Sequence, residues 1–395
     1  MKVGAGVLLY ELYEAADAHG VAVVGGEGKT VGFGRGYIAG GRHSPVSPLY
    51  GLAADQVLRI DVVTPDGRFI TATERKNSDL FWALWGGGGG TFGVATSYVI
   101  RAHLSLPVIS VASFSFGIDG STITYETFWE AVRAYWEMIP IFNARGNYQY
   151  WFIWPAGPKK ASFVMSPWLA PKLTAGEANE LTAPLFAKWK ALGINVQPNW
   201  SEHATFLSAW TAGFPVEPVG SHGNKMASRL SPKENLNDPA KFNTTYEALK
   251  GVSDSGGSLI GFGITGGPGP HPDNAVNPEW RDAAAMFVIS WVTWDADTSL
   301  ARIAELSKNL TELWRQPWRD AAPDSEAYAS ECDVMEPNVQ QSFFGNNYKR
   351  LYQVKNKYVP SGLFHTQIGV GSEDWYVTGQ LDGLPTQNGR LCRVK

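Results

Sequence analysis

The spacing of apolar residues predicts a small set of helices and strands in the first hundred residues. Apolar positions recur at helical spacing over residues 7–19, and Gly20 follows as a stop signal. Residues 57–73 alternate between apolar and polar positions around the turn sequence Pro65-Asp66-Gly67, which predicts a β-hairpin. The remaining predicted elements of this part are a strand over 21–24, a helix over 79–85 and a strand over 94–100.

The pattern changes near Leu106-Pro107, where longer alternating and amphipathic segments begin. The predicted strands are 108–117, 148–154, 161–165, 259–264 and 285–294, and the predicted helices are 125–139, 177–192 and 299–314. Apart from that strand over 259–264, residues 213–275 are rich in Gly, Pro, Ser and Asn and are predicted to be mostly loops. Because strands and helices come in blocks rather than in regular alternation, the chain is predicted to have an α+β fold.

Composition narrows the classes of protein to which the chain can belong. Its 395 residues favour two domains over one, and a net charge of −4 gives no basic face for nucleic acid. No apolar run approaches the length of a membrane span. The seven histidines form no metal-binding motif, so no metal site is predicted. Cys332 and Cys392 form no disulfide framework, and a single bridge between them stays open. The 16 tryptophans suggest aromatic-lined sheets or a flat ligand.

Two glycine-rich segments are candidate ligand sites. Residues 88–93 fit GxGxxG literally, but a helix precedes them and a strand follows, which is the reverse of the order a dinucleotide fold requires. The segment from Gly25 to Gly41 lets a ligand approach the backbone and offers Thr30, Tyr37 and His43 as polar groups. The alternative, which composition alone favours, is a glycine-rich surface loop that binds nothing. No P-loop and no GxSxG pentapeptide occurs, which argues against a nucleotide triphosphatase or a serine hydrolase.

Longer blocks of sequence resemble a known family. Phe343–Tyr348, the segment Lys349–Phe364 and the residues Gly369–Trp375 resemble the closing segment of berberine-bridge-enzyme-like flavin oxidases. Near the other end, Val24–Gly32, Gly40–Pro45 and Tyr50–Leu58 resemble the second half of the FAD-binding domain of that family, and the match continues through 77–90. The resemblance covers most of the chain.

The resemblance implies a vanillyl-alcohol-oxidase-type architecture. The expected parts are an FAD-binding domain over 1–107, represented by its second half, and an antiparallel-sheet substrate domain covered by helices over 108–325. A C-terminal segment over 326–395 is expected to return to the FAD-binding domain. In this family a further FAD-binding subdomain precedes the segment that begins at Val3, so the chain is expected to be truncated at its N-terminus.

The resemblance also implies site residues. Those expected along the flavin are Thr30, Val31, Gly32, Gly36, Gly40, Gly41, His43, Gly93, Val94, Asn347 and Tyr348. Tyr328 is expected on the substrate side, in a segment where Ser330 replaces the asparagine common in the family; a buried core tyrosine is the alternative. The strand over 260–265, where some relatives carry a glutamate base, has no carboxylate.

The implied function is FAD-linked oxidation of a small natural product, alkaloid- or polyketide-like, with molecular oxygen as electron acceptor. Gly28 stands where many relatives attach the flavin to a cysteine, so FAD is expected to bind non-covalently. One alternative is a truncated and catalytically impaired remnant of such an oxidase. Another is a non-enzymatic module that binds carbohydrate or another ligand through its tryptophans. The N-terminal residues do not form a secretory signal pattern, because Glu11 interrupts the apolar run, and the compartment stays open.

Overall fold

A computed structural model describes residues 1–216, 223–282 and 284–395. The first hundred residues form a four-stranded antiparallel sheet with the order β1-β5-β3-β4, and β2 pairs separately with β6. The strands are β1 (Lys2–Gly4), β2 (Val21–Ala22), β3 (Val57–Val63), β4 (Phe69–Ala72), β5 (Val94–Ile100) and β6 (His103–Leu104). The helices are α1 (Leu9–Ala18), α2 (Ser47–Tyr50) and α3 (Ser78–Leu84).

The local sequence explains these elements. In α1 the side chain of Glu11 accepts a hydrogen bond from the backbone N–H of Leu8 at 2.8 Å, which satisfies a donor at the helix start. The apolar stripe of α1, which includes Leu9 and Leu12, is buried in the core. The predicted hairpin over 57–73 forms as the pair β3 and β4.

A second, seven-stranded antiparallel sheet follows, with the order β10-β7-β9-β8-β12-β13-β11. Its strands are β7 (Ile109–Gly117), β8 (Tyr148–Gly157), β9 (Lys160–Pro171), β10 (Ser201–His203), β11 (Gly223–Pro232), β12 (Ser258–Gly263) and β13 (Ala284–Trp294). The helices of this part are α4 (Tyr125–Trp136), α5 (Ile139–Ala144), α6 (Ala175–Ala191), α7 (Phe206–Gly213), α8 (Lys233–Asn237), α9 (Pro239–Asp254), α10 (Glu279–Asp282), α11 (Leu300–Lys308) and α12 (Gln316–Ala321).

The prediction that residues 213–275 are mostly loops is wrong. This region contains the ten-residue strand β11 and the sixteen-residue helix α9, although its part over 217–222 lies outside the described residues. Helix α9 begins where Asp238 accepts hydrogen bonds from the N–H groups of Ala240 and Lys241, with Pro239 in the first turn. Asp238 and Pro239, residue types that suggested a loop, therefore begin a helix.

The two faces of the second sheet differ. Trp151 and Ile153 of β8 lie in a core packed under helices, whereas Tyr148 and Tyr150 face the first sheet. Ten of the 16 tryptophans are buried, so most of them fill the core and do not form open platforms. No described helix has the length and apolar character needed to cross a membrane.

The C-terminal residues pack on the first unit. Helices α13 (Val339–Phe344) and α14 (Tyr348–Tyr358) precede strands β14 (Trp375–Val377) and β15 (Leu391–Arg393). The buried Lys355 of α14 donates hydrogen bonds to the carbonyls of Thr91, at 2.7 Å, and Phe364, at 2.5 Å. The exact three-part division of the chain stays a prediction.

Short turns complete the fold. They are π-helical at Phe33–Tyr37 and Asn309–Trp314, and 3-10 at Ala54–Gln56, Ala329–Glu331, Gly345–Asn347 and Ser372–Asp374.

Candidate functional site

A cavity of about 220 Å3 lies where the first unit meets the C-terminal segment. Its walls come from the π-helical turn and the residues after it, the loop that follows α3, and residues 327–330 and 366–369. Six glycines line it: Gly36, Gly40, Gly86, Gly88, Gly89 and Gly369. Aromatic side chains of Trp280, Tyr328, Phe343 and Phe344 supply much of the remaining surface.

Two of these glycines are required by the backbone path. Gly86 and Gly88 have φ angles of +103° and +107°, which side chains of L-residues rarely tolerate. A Cβ on Gly89 would lie 2.7 Å from the Cα of Gly36, so the two glycine segments touch through backbone atoms alone. The glycines therefore build the narrow wall of the cavity.

Tyr328 lies in the opposite wall and is 3% exposed. Its hydroxyl has no hydrogen-bond partner within the protein. Its ring is fixed by contacts with Trp280, at a centroid distance of 5.7 Å, and with the guanidinium carbon of Arg42, which lies 5.0 Å from the ring centroid. A buried hydroxyl in this state is free to bond to a molecule in the cavity.

A buried ionic cluster lies behind Tyr328. His43 is 3% exposed, and its ring lies between Glu27, with Nδ1 3.4 Å from Oε1, and Glu331, with Nε2 3.7 Å from Oε2. These are ion-pair distances rather than close hydrogen bonds. Tyr148 donates a hydrogen bond to Glu27, and Arg42 lies 3.9 Å from Glu331. The cluster joins the glycine segment, the second sheet and the C-terminal segment.

The electrostatics of the cluster favour a protonated His43. Burial alone would lower the pKa of His43, but the negative charges of Glu27 and Glu331 outweigh it and raise the pKa to about 9. Burial opposes ionisation of Glu27 as well, yet His43 and the hydrogen bond from Tyr148 bring the pKa of Glu27 below its ordinary value. With Arg42 included, the positive charges of His43 and Arg42 balance the negative charges of Glu27 and Glu331.

Several predicted site residues meet here. Gly36, Gly40 and Tyr328 line the same cavity, and His43 lies 5.6 Å from the Tyr328 ring centroid. Gly41 and Asn347 both contact Val276: a Cβ on Gly41 would be 3.0 Å from the Cγ2 of Val276, and Asn347 donates a hydrogen bond to its carbonyl at 3.0 Å. The structure therefore brings residues from both ends of the chain together.

The other predicted residues lie outside the cavity wall. Thr30, Val31 and Gly32 run beside the start of α1, where the carbonyl of Val31 accepts the N–H of Leu9. Tyr348 donates hydrogen bonds to Glu373 and accepts one from the N–H of Gly371. Their roles toward a cofactor stay predictions.

Gly93 and Val94 lie at the start of β5. A Cβ on Gly93 would approach the Cγ2 of Val62 to 2.8 Å and the carbonyl oxygen of Val63 to 3.0 Å, and Val94 is 53% exposed. Packing of β5 against β3 is thus sufficient to explain the glycine. Contact with the adenine end of FAD stays a prediction.

Glu27, Glu331 and Arg42 were not among the predicted site residues. The signal that could have found Glu27 and Arg42 is their place inside Val24–Gly32 and Gly40–Pro45, two of the blocks that carried the resemblance. Glu331 lies three residues after Tyr328, at the glutamate of the resembling segment that often reads tyrosine, any residue, asparagine, glutamate, and that match was a signal for it. Among the described residues, no group of three or more His, Cys, Asp or Glu side chains is arranged to hold a metal.

The lining of the cavity suits the flat part of a flavin. Glycine backbone and aromatic faces suit a planar ring, and the orphan hydroxyl of Tyr328 can bond to a polar atom of a bound molecule. Its described lining residues include no lysine or arginine, so backbone N–H groups would have to hold any phosphate bound there.

Comparisons with known proteins agree with this geometry. The FAD binding domain family matches residues 1–73, and the berberine and berberine like family matches residues 327–371. An uncharacterized FAD-linked oxidoreductase of Arthroderma benhamiae is 38% identical, over 95% of this chain and 65% of its own length. The FAD-linked oxidoreductase patO of Aspergillus clavatus is 35% identical, over 100% of this chain and 66% of its own length. The chain thus spans 65% and 66% of the length of these curated relatives.

Solved structures show the same relationship. The VAO-type flavoprotein MtVAO615 of Myceliophthora thermophila C1 aligns with a TM-score of 0.87 at 30% identity, over 100% of this chain and 69% of that one. Berberine bridge enzyme of Eschscholzia californica shares the fold, with a TM-score of 0.72 at 17% identity, over 93% of this chain and 76% of its own. Because the FAD binding domain family and FAD-linked relatives match this chain, FAD is its cofactor. The chain belongs to the VAO-type flavoproteins, in their berberine-bridge-enzyme-like group.

Proposed function

We propose that the protein is an FAD-linked oxidoreductase that oxidises a small natural product, alkaloid- or polyketide-like, with molecular oxygen as the electron acceptor. The observation that carries the proposal is the hydroxyl of Tyr328, which is buried, unpartnered and set in the wall of a glycine-lined cavity. Leaving such a group without a partner costs free energy, and a bound molecule would remove that cost.

Relatives support the class of substrate. Proteins similar to this chain are named FAD-linked oxidoreductases, and one from Penicillium decumbens, 30% identical, is named a bifunctional decalin synthase. Decalin is an apolar fused-ring system, and the aromatic walls of the cavity suit a ligand of that character.

Different residues of this chain would bind the flat parts of the ligands and position the reacting group. FAD, when bound, supplies the acceptor for a hydride taken from a C–H bond of the substrate. Trp280 and the glycine segments would pack against the flat faces of bound molecules. The Tyr328 hydroxyl would hydrogen-bond the reacting hydroxyl or amine and hold it in position, and the proton of that group would leave to water. The Arg42 guanidinium over the Tyr328 ring keeps that ring in position. At position 28 glycine offers no thiol, so FAD would bind there without a covalent link.

The test compares the chain with Tyr328→Phe after incubation with FAD. We expect both proteins to retain FAD through gel filtration and to release it into the supernatant on acid precipitation. Oxygen consumption with a panel of phenols and benzylic alcohols should fall by about 10²-fold in the variant, because losing one positioned hydrogen-bonding group at the reacting centre costs a factor of that order.

A matched control is Tyr135→Phe. The Tyr135 hydroxyl is also buried and unpartnered, but it lies in the helix-covered core away from the cavity. Turnover that falls equally in both variants, or not at all in Tyr328→Phe, would contradict the role of Tyr328. Flavin that stays with the acid pellet would contradict non-covalent binding.

A further inference from the structure

Lys355 is a buried lysine that joins two of the segments forming the cavity. It lies on α14 and is 5% exposed. Its Nζ donates one hydrogen bond to the carbonyl of Thr91, which lines the cavity. It donates a second to the carbonyl of Phe364, two residues before the lining residue Thr366. One ammonium group therefore connects the loop after α3 with the C-terminal wall of the cavity.

Helix α14 also packs on the middle of the same loop. A Cβ on Gly87 would lie 2.5 Å from the Cδ2 of Leu351, which precedes Lys355 by one helical turn. The neighbouring Gly86 and Gly88 line the cavity. Because a run of glycines has little conformational restriction of its own, the path of this loop depends on the contacts that α14 makes with it.

The ammonium of Lys355 has no compensating negative charge. Among the described residues no carboxylate forms an ion pair with it, and burial lowers its pKa to about 8. A buried cation without a counter-ion costs free energy, which a methionine of similar length would avoid. The stability of the fold alone therefore does not explain a charge at this position.

The surroundings of Lys355 contain few titratable groups. Residues 86–93 of the loop above it include none. His365 follows Phe364, and burial together with the nearby ammonium lowers the pKa of His365 below 6.5. On α14 the hydroxyl of Tyr352 donates a hydrogen bond of 2.8 Å to Asp374. Lys355 is therefore the group of this set that titrates near pH 8.

We propose that Lys355 is a positioning residue for the flavin, whose protonated side chain holds the loop after α3 against residues 364–369 at the spacing that a flavin requires. The inference rests on the proposed function in taking this cavity as the place where FAD binds. Charge-assisted hydrogen bonds are stronger than neutral ones, so loss of the proton loosens both contacts and lowers the affinity for flavin.

The experiment measures flavin binding and does not depend on turnover. The chain is titrated with FAD and, separately, with riboflavin, which lacks the diphosphate, and binding is followed by the change in flavin fluorescence. We expect Lys355→Met to weaken the binding of both flavins by about tenfold at pH 7, because it removes two hydrogen bonds from a charged group. Lys355→Arg keeps a cation that can donate to both carbonyls and should bind flavin more tightly than Lys355→Met.

The pH dependence separates this role from a purely structural one. In the wild type the apparent dissociation constant should rise about fourfold between pH 7 and pH 8.5, as the protonated fraction of a group with a pKa of about 8 falls. Lys355→Met should show no such rise. His43, whose pKa is about 9, keeps its proton over most of this range and is present in both proteins.

Lys349→Met is the matched control, because Lys349 is exposed on the same helix. It should leave flavin affinity and its pH dependence as in the wild type. Circular dichroism and urea unfolding verify that each variant is folded. If Lys355→Met does not fold, the wild-type pH profile and Lys355→Arg still decide the role of the charge.

The outcomes separate the two proposals. Equal flavin affinity in wild type and Lys355→Met, or a wild-type affinity that stays constant from pH 7 to pH 8.5, overturns the role of Lys355 alone. An effect on FAD that is absent with riboflavin overturns positioning in favour of direct attraction to phosphate. Flavin binding that depends on Lys355 in a protein that oxidises nothing overturns the proposed function alone. A wild-type chain that binds neither flavin overturns both.

Discussion

His43 is a buried side chain whose charge is set by its two neighbours, Glu27 and Glu331. A rise in its pKa from 6.5 to about 9 corresponds to a stabilisation on the order of 3 kcal/mol. Because the folded pKa lies above the unfolded one, this contribution is complete below pH 6.5 and is lost as pH rises through about 9. Arg42 and Tyr148 face the same cluster, and they hold Glu331 and Glu27 in place.

We therefore expect His43→Gln to be less stable than the wild type at pH 6.5, and the difference to narrow as pH rises past 9. The measurement is the free energy of unfolding in urea over a series of pH values. His19→Gln is the control, because His19 is exposed at the end of α1. A difference between His43→Gln and wild type that stays constant across this range would contradict a protonated His43.

At the scale of elements, the close pairing of β8 with β12 depends on glycine. Gly261 lies directly opposite Trp151, and a Cβ there would come within 2.0 Å of the Trp151 ring. Gly263 has the same relation to Gln149, with a Cβ 2.0 Å from its Oε1. These glycines thus leave room for large buried side chains on the neighbouring strand.

We expect Gly261→Ala to lower the free energy of unfolding by about 1–3 kcal/mol, because Trp151 must move within a packed core. Gly251→Ala is the matched control: Gly251 lies exposed in α9 with nothing within 4 Å of its Cβ position. That substitution should raise stability by about 0.5–1 kcal/mol. Chemical denaturation of both variants measures these free energies. A Gly261→Ala variant as stable as the wild type would show that Trp151 has an alternative position.

At the scale of the whole molecule, one ion pair joins the first unit to the segment between β12 and β13. Arg281 donates two hydrogen bonds of 2.7 Å to the carboxylate of Asp55, and Asn274 donates a third at 2.9 Å. Both charged partners are largely buried. A bidentate pair in such a position fixes the distance and angle between the two parts.

We expect Arg281→Ala to lower the free energy of unfolding by about 3–5 kcal/mol, because it leaves Asp55 as a buried charge without its partner. In Arg68→Ala, which removes an ion pair with Asp66 at an arginine that is 64% exposed, the change should be below about 1 kcal/mol. Thermal or urea unfolding measures both. Similar losses in the two variants would mean that the buried pair contributes no more than a surface pair.

Elements whose signals are local could be predicted from the sequence alone. The helical spacing over α1 and the alternation around Pro65-Asp66-Gly67 were enough, because each depends only on residues a few positions apart. Residues 213–275 were assigned wrongly because composition hid the pairing of β11 with β13, a partner far along the chain. Long blocks of resemblance also indicated the fold and FAD, which the comparisons confirmed.

Which residues meet at the candidate site became clear only from the tertiary structure. Glu27, His43 and Glu331 come from opposite ends of the chain, and no periodicity connects them. The same holds for the second sheet, where alternation places Tyr150, Phe152 and Trp154 on one face of β8. Pairing of β8 with β12, and of β12 with β13, brings Trp291 beside Trp154. Contacts between distant segments depend on how sheets pack, and the free energy of that packing is a property of the whole fold.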